Sequence, residues 1–366
     1  MSRWLLVLLS MVFLPTPTHA TARFGEYPTV EFAPAQGQTF TIPIVLDQAA
    51  EIEIDLLTSD GDHVRTLRSD QALPPGTHHL VWDGQDEAEL VVPDEAYIPV
   101  LKSRSSDGGE YLFDPRQDSG GEVVDDLQVE ITPNRDIAYT LPASARVLIR
   151  AGIKGGPMLR SLATWAPRGP GKNIQRWDGR DANQLVDLRA EQDLSILVTA
   201  FRLPKHAIIT SGHPKMTYRD YRLQMQWPEP VRVAVEKDML NRGEQRLSRH
   251  YYAPRFQDAD PRITIALSQD LPHDDEGLPV VTLGQSVPVV ANIDDNDRWL
   301  MNESLYEVAF FIDHQFISEE EQGYLPLTWL WTVNGLSPGK HLMTVNVAGF
   351  SGKVGVASLF FVVKTL

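Results

Sequence analysis

The sequence predicts an all-β fold of tandem β-sandwiches, and three observations carry that prediction. The first is an internal repeat: residues 42–91 laid over 137–186 without a gap match at fifteen positions, at a constant offset of 95. Unrelated segments of that length would share about three, at roughly 6% per position. The second is period-two alternation inside each copy, the pattern of a strand with one buried face. The third is turn chemistry, with Gly, Pro and Asp clusters cutting the chain into short runs spaced as in a sandwich.

At the N-terminus, Arg3, the apolar run Trp4 to Leu14, the breakers Pro15 and Pro17, and the small residues Ala20, Thr21 and Ala22 read as a cleavable signal peptide over 1–22. Cleavage fits after Ala20 or after Ala22. The run is too short for about 30 Å of hydrocarbon, which takes roughly 20 residues, and no later segment reaches that length. An exported chain with no transmembrane anchor is expected.

The first sandwich is expected over 23–128. Ile52, Ile54 and Leu56 alternate there with Glu51, Glu53 and Asp55, so apolar side chains take one face and carboxylates the other. Turns fall at Ser59-Asp60-Gly61, Pro74-Pro75-Gly76 and Asp83-Gly84. The second sandwich, over 129–203, keeps the inner pattern with Val147, Ile149 and Ala151, while Arg146 and Arg150 point outward. A third is expected over 276–366, with strands at Val287 to Ile293, Tyr306 to Ile312, Thr328 to Val333, His341 to Val347 and Val356 to Val363. Trp329 and Trp331 share its packed face. Leu336-Ser337-Pro338-Gly339-Lys340-His341 echoes Leu73-Pro74-Pro75-Gly76-Thr77-His78 at a strand entrance.

Between the second and third sandwiches, 204–275 reads as a basic connecting region with some strand, including Tyr218 to Trp227. Residues 202–262 hold twelve Lys/Arg and seven Asp/Glu, a local +5, whereas 270–321 hold one Arg and thirteen Asp/Glu, a local −12. The whole chain sets 33 Lys+Arg against 49 Asp+Glu, a net −16, which argues against nucleic acid or anionic lipid as partner. It has no cysteine, which excludes disulfides, thiolate metal sites and a Cys nucleophile. An exported chain without disulfides needs cores large enough to hold it unaided.

The run Val64-Arg65-Thr66-Leu67, Pro75-Gly76-Thr77-His78, Trp82-Asp83-Gly84-Gln85-Asp86, Val92-Pro93 and Tyr97 resembles the immunoglobulin-like module named after the flagellar hook-capping protein FlgD. The resemblance covers about 40–101 well and 137–200 more loosely. It implies tandem immunoglobulin-like sandwiches with a structural or adhesive role. Two glycines usual in that family are replaced, by Glu89 and Glu95, and in the second copy Gln192 stands where Tyr97 would be.

The motif residues Trp82, Asp83, Gly84, Asp86, Trp177, Asp178, Gly179 and Asp181 read as corner pieces. The Trp side chains belong to the core, the Asp carboxylates accept turn N–H groups, and the glycines supply positive φ. Arg65 and Arg160 are expected to cover an edge or pair with a nearby carboxylate. Arg242, Arg246, Arg249, His250, Tyr251, Tyr252 and Arg255 form an interface candidate, equally readable as a loop docked on its own neighbour. Asp294, Asp295 and Asp297, and more weakly His273 to Glu276, are calcium candidates; a solvated acidic loop is the commoner reading.

No zinc helix, nucleophile elbow or phosphate loop is present, so no catalytic residue and no cofactor are expected. A site assembled from distant residues is a matter of geometry that spacing does not address. The functional expectation is an exported, elongated, non-catalytic scaffold that engages a protein partner in the periplasm or at the cell surface. Its rivals are a carbohydrate-binding accessory or hydrolase whose cleft is completed by 203–275, and a calcium-stiffened adhesin.

Overall fold

Three times along the chain a three-stranded sheet packs against a second sheet, which has six strands in the first sandwich, three in the second and five in the third, and the small sheets share one strand order. The computed structural model describes residues 22–365 apart from 107, 135, 231–232, 269, 302–305 and 350–351. The signal-peptide reading therefore lies outside the described residues except for Ala22. In the first sandwich Ala22–Phe24, Phe40–Leu46 and Gly76–Trp82 form the small sheet. Opposite it Ala50–Leu57 pairs with His63–Arg68 on one side and Ala96–Ser105 on the other. The second sandwich repeats this with Val129–Ile131, Ile137–Leu141 and Gly171–Gln175 against Met158–Arg168, Ala145–Ile153 and Leu194–Arg202. The third sets Ile263–Leu267, Ser286–Ile293 and Leu327–Thr332 against Gln315–Glu320, Tyr306–Ile312, Gly339–Gly349, Val354–Lys364 and Val280–Thr282.

The alternation read from the sequence is the alternation of burial. Ile52, Ile54 and Leu56 face a closed core with Ile42, Ile44, Trp82 and Tyr97, while Glu53 and Asp55 face outward to Arg68 and Lys102. Each such aliphatic side chain stabilises the fold by roughly 1.5–3 kcal/mol when removed from water. Separate clusters of the same kind fill the second and third sandwiches. In the third, Trp331 is buried and Trp329 packs beside it on the same face.

Several expectations need correction. Tyr218 to Trp227 is not a strand: Tyr218–Gln224 is a helix, α1, capped by Thr217, whose hydroxyl accepts the Asp220 N–H at 3.1 Å. Its inward residues Tyr218, Tyr221 and Arg222 follow the i, i+3, i+4 spacing of a helix face, which a short window confuses with alternation. The connecting region also lends strands to both neighbours. Ile208–Thr210 joins the first sandwich beside Ala96–Ser105, and Ile263–Leu267 edges the small sheet of the third.

The Pro-Gly echo is real locally, since His78 and His341 each bond the carbonyl four residues back, at 2.7 and 2.8 Å. Gly339, however, opens the counterpart of Ala96–Ser105 and not of Gly76–Trp82. Nor is Gln192 the counterpart of Tyr97. Ile54 pairs with Leu101 and Ile149 with Val198, so the second copy has gained two residues before its last strand, and Leu194 takes the equivalent place.

Candidate functional site

The repeat motif builds the same corner twice. Trp82 Nε1 donates to the Gln85 carbonyl at 2.9 Å and Trp177 Nε1 to that of Arg180 at 3.1 Å. Asp83 and Asp178 each accept the N–H two residues on at 3.0 Å, across Gly84 and Gly179 at φ 75° and 80°. Asp86 accepts from Ala88 and Leu90, and Asp181 from Asn183, Leu185 and Val186. Arg65 lies 3.6 Å from Asp83, and Arg160 bonds Asp178 at 2.6 Å. Glu89, which replaces one expected glycine, sits at φ 61°, and its repeat counterpart Gln184 at φ 63°. The left-handed turn is kept in both copies without the residue that favours it.

The other replaced glycine, Glu95, lies at the centre of a buried charge cluster. Its side chain is fully buried; one carboxylate oxygen accepts from Arg146 at 2.5 Å and from the Ala96 N–H at 2.7 Å, the other from Arg255 at 2.7 Å. Arg146 comes from the second sandwich and Arg255 from the basic segment, so one carboxylate joins three parts of the chain. Arg146 also donates to the Trp165 carbonyl at 3.0 Å and to the Ser59 hydroxyl. Beside it Asp60 accepts the N–H groups of Arg255 and Phe256 and, at 3.0 Å, the Tyr218 hydroxyl. Arg222 of α1 bonds Asp62 and the Pro228 carbonyl. Arg146, expected to point into solvent, instead points into the first sandwich.

Burial alone would raise the Glu95 carboxyl, but Arg146 and Arg255 outweigh it and hold the group below the usual range. Asp258 goes the other way: burial pushes it up to about 7, against the pull of Arg255 and Arg146 and with the repulsion of Glu95 and Asp60. His250 is pushed down to about 4, first by burial and then by Arg150 and Lys353. Over the cluster lies a cavity of about 360 Å³, lined by Arg116, Tyr251, Tyr252, Asp60 and Asp258 among others.

The interface candidates are mostly turned onto their own chain. Arg242 bonds Glu122 at 2.7 Å and the Gly120 carbonyl, Arg246 bonds Asp125 at 2.6 Å, and Tyr252 donates to the Met239 carbonyl at 2.7 Å. His250 packs on Trp165 with ring centroids 4.3 Å apart, and Tyr251 packs edge-on to Phe201. Arg249 alone is exposed and without an ion pair among the described residues. The segment is a belt fastened to its neighbours. The sequence reading missed Glu95, Asp60, Arg146, Arg222 and Asp258. A signal was present at Glu95, a carboxylate at a position where the resemblance implies glycine.

A second junction joins the second and third sandwiches through polar side chains. Asn346 bonds both the N–H and the carbonyl of Met158 at 2.8 Å, Asn183 accepts from Ser358 N–H at 2.8 Å, and Asp260 accepts from Ser161, Thr164 and the Val354 N–H. Of the calcium candidates, Asp297 bonds Arg262 at 2.7 Å, Asp295 bonds Arg298 at 2.7 Å, and Asp294 caps the 3-10 turn Asp295–Leu300. Among the described residues no group of three or more such side chains is placed to hold a metal ion. His341 and Asp313 form a 2.5 Å pair, but the second ring nitrogen bonds the Ser337 carbonyl, leaving none to face a nucleophile.

No family model and no curated protein matches the chain. Among solved structures, the fibronectin(III)-like modules of Clostridium thermocellum CbhA align at 9% identity over 94% of this chain and 95% of theirs, with a TM-score of 0.21. A bacterial ice-binding adhesin aligns at 12% identity over 96% of this chain and 100% of its own, with a TM-score of 0.20. Trypsin-activated alpha-2-macroglobulin from Escherichia coli aligns at 12% identity over 94% of this chain, which spans 23% of that one, with a TM-score of 0.20. At these scores the likenesses carry no weight, and the fold class rests on the strand pairing itself. Among the described residues no helix is long and apolar enough to cross a membrane.

Proposed function

We propose that this chain is an exported, non-catalytic scaffold for protein assembly or adhesion, in the periplasm or at the cell surface. Its immunoglobulin-like sandwiches, two of them of the FlgD type, are held in one fixed arrangement by the belt 204–262. The observation that carries this reading is the Glu95 cluster: buried charges from two sandwiches and the belt meet at one carboxylate, a construction that resists bending between modules. Breaking such a buried pair costs roughly 3–5 kcal/mol, because the remaining charge is stranded away from water. Export draws support from Ala22, buried and paired with Leu46; cleavage after Ala20 leaves that strand whole.

Affinity capture of the mature protein from its native envelope, with mass analysis of its N-terminus, tests the reading. A specific protein partner and a start at Thr21 are expected. Retention of the leader in the cytoplasm, or capture of nothing, removes it. The cavity over Asp258 favours one second reading, a small-ligand or carbohydrate site. Titration calorimetry with an oligosaccharide panel would show heat that Asp258→Asn abolishes if that reading holds, and none if it does not.

A further inference from the structure

The strand Gln315–Glu320 holds in the third sandwich the place of His63–Arg68 in the first and Met158–Arg168 in the second. Each is the edge strand hairpinned to an inner strand of the sheet that faces the small sheet: Tyr306–Ile312, Ala50–Leu57 and Ala145–Ile153 respectively. The first two edges are covered. In the first sandwich the loop after the Asp-Gly corner closes the rim, Glu87 N–H donating to the Val64 carbonyl at 3.0 Å and Thr66 N–H to the Glu87 carboxylate at 2.8 Å. In the second, Ala182 N–H reaches the Leu159 carbonyl at 2.9 Å and Asn346 pairs both ways with the Met158 backbone.

The third sandwich has no such corner, since its chain passes from Leu327–Thr332 to Gly339–Gly349 in a short turn. Among the described residues no hydrogen bond reaches the outer rim of Gln315–Glu320. Phe316 and Ile317 on it are 53% and 42% exposed. Glu319, Glu320 and Glu321 enter no ion pair among the described residues, whereas Glu53, Asp55 and Glu110 of the first sandwich are all paired across strands. An unpaired rim with exposed apolar side chains is a template for another strand, and its unmatched carboxylates define the charge of that strand.

We propose that this edge is the docking site for an extended segment of a partner protein that adds as an antiparallel strand. Basic residues in its N-terminal half lie against Glu319 and Glu320, and apolar residues in its C-terminal half against Phe316 and Ile317. The inference rests on the scaffold reading and names how the partner is held. Antiparallel addition continues the pairing already made with Tyr306–Ile312 and outnumbers parallel pairing two- to three-fold in general.

The test uses the full mature chain and a fluorescein-labelled peptide reading Lys-Lys-Val-Val-Phe-Val, whose antiparallel register sets its lysines opposite Glu320 and Glu319 and its Phe opposite Phe316, followed by anisotropy. Saturable binding is expected, weakening as salt is raised and lost when alternate peptide amides are N-methylated. The double variant Glu319→Lys and Glu320→Lys should keep its melting curve, weaken the lysine peptide by about tenfold or more, and strengthen a peptide with glutamates in place of lysines. No binding, binding that survives N-methylation, or an unchanged charge preference would overturn the docking site, and the carboxylates would then serve only to keep the edge from pairing. If the double variant still captures its envelope partner as the wild type does, the docking site fails while the scaffold reading stands. If the wild type captures nothing, the scaffold reading itself fails.

Discussion

The two copies of the repeat carry the same corner hydrogen bonds, yet they sit in different surroundings. Trp82 is fully buried between Phe32 and Tyr97, with ring centroids 5.4 and 5.2 Å away, whereas Trp177 is half-buried at the margin of two clusters. Asp86 receives a hydroxyl from outside its own module, Tyr221 of α1 at 2.8 Å; Asp181 is satisfied by backbone alone. Glu95 is the hub of a three-way junction, and Gln192, its counterpart once the two added residues are counted, is exposed. The motif therefore specifies a corner, and what is packed over that corner decides how much depends on it.

The largest expected effects break this asymmetry. Glu95→Ala strands Arg146 and Arg255 and should cost about 3–5 kcal/mol in urea unfolding, with new proteolytic cleavage in 225–260. Gln192→Glu, on an exposed surface, should change stability by less than about 0.5 kcal/mol. Equal effects at the two positions would mean that the cluster is solvated. Trp82→Ala should likewise cost about 3–5 kcal/mol, and Trp177→Ala about 1–2 kcal/mol, because less apolar surface leaves water there.

A comparable effect is expected from pH. The Asp258 pKa, about 7 when folded, lies above the roughly 3.9 of an unfolded aspartate. The native state thus holds a proton that the unfolded chain releases, so the stabilisation from this group is present at low pH and lost as pH rises from about 4 through 7. The groups around it are Arg255 at 3.6 Å, His250 at 4.0 Å, Arg146, Glu95 and Asp60. Asp258→Asn removes the dependence. Relative to wild type it should gain on the order of 4 kcal/mol between pH 4 and pH 8, read from urea midpoints at both ends. A constant difference would show that Asp258 is already ionised in the fold. Tyr221→Phe should cost about 1–2 kcal/mol for a hydrogen bond to a buried carboxylate, with no counterpart in the second copy.

Much of the fold was legible because it rests on local rules. Period-two alternation of the sequence placed the strands at Ala50–Leu57 and Ala145–Ile153, a β-branched and aromatic run placed Tyr306–Ile312, and Asp-Gly at positive φ placed both corners. The helix α1 was missed because seven residues barely separate a period of two from one of 3.6. The strands Ile208–Thr210 and Ile263–Leu267 were missed because they lie in what read as a linker and pair with partners far along the chain. Of the junction, the Arg and Tyr residues were visible as a group but their direction was not. A guanidinium looks the same in sequence whether it meets a stranger or Glu95.

The sequence by itself determined the repeat, the all-β class, the absence of disulfides and the chemistry of each corner, since these follow from alternation, turn residues and composition within one module. Only the tertiary structure decided which charges are spent inside the molecule and which face out. Arg146, Arg222, Arg242 and Arg255 are matched internally, while Glu319 and Glu320 are left without partners among the described residues. The physical reason is range: a strand's pattern is set by its immediate neighbours, but an ion pair is set by which modules the folded chain brings within about 4 Å of each other.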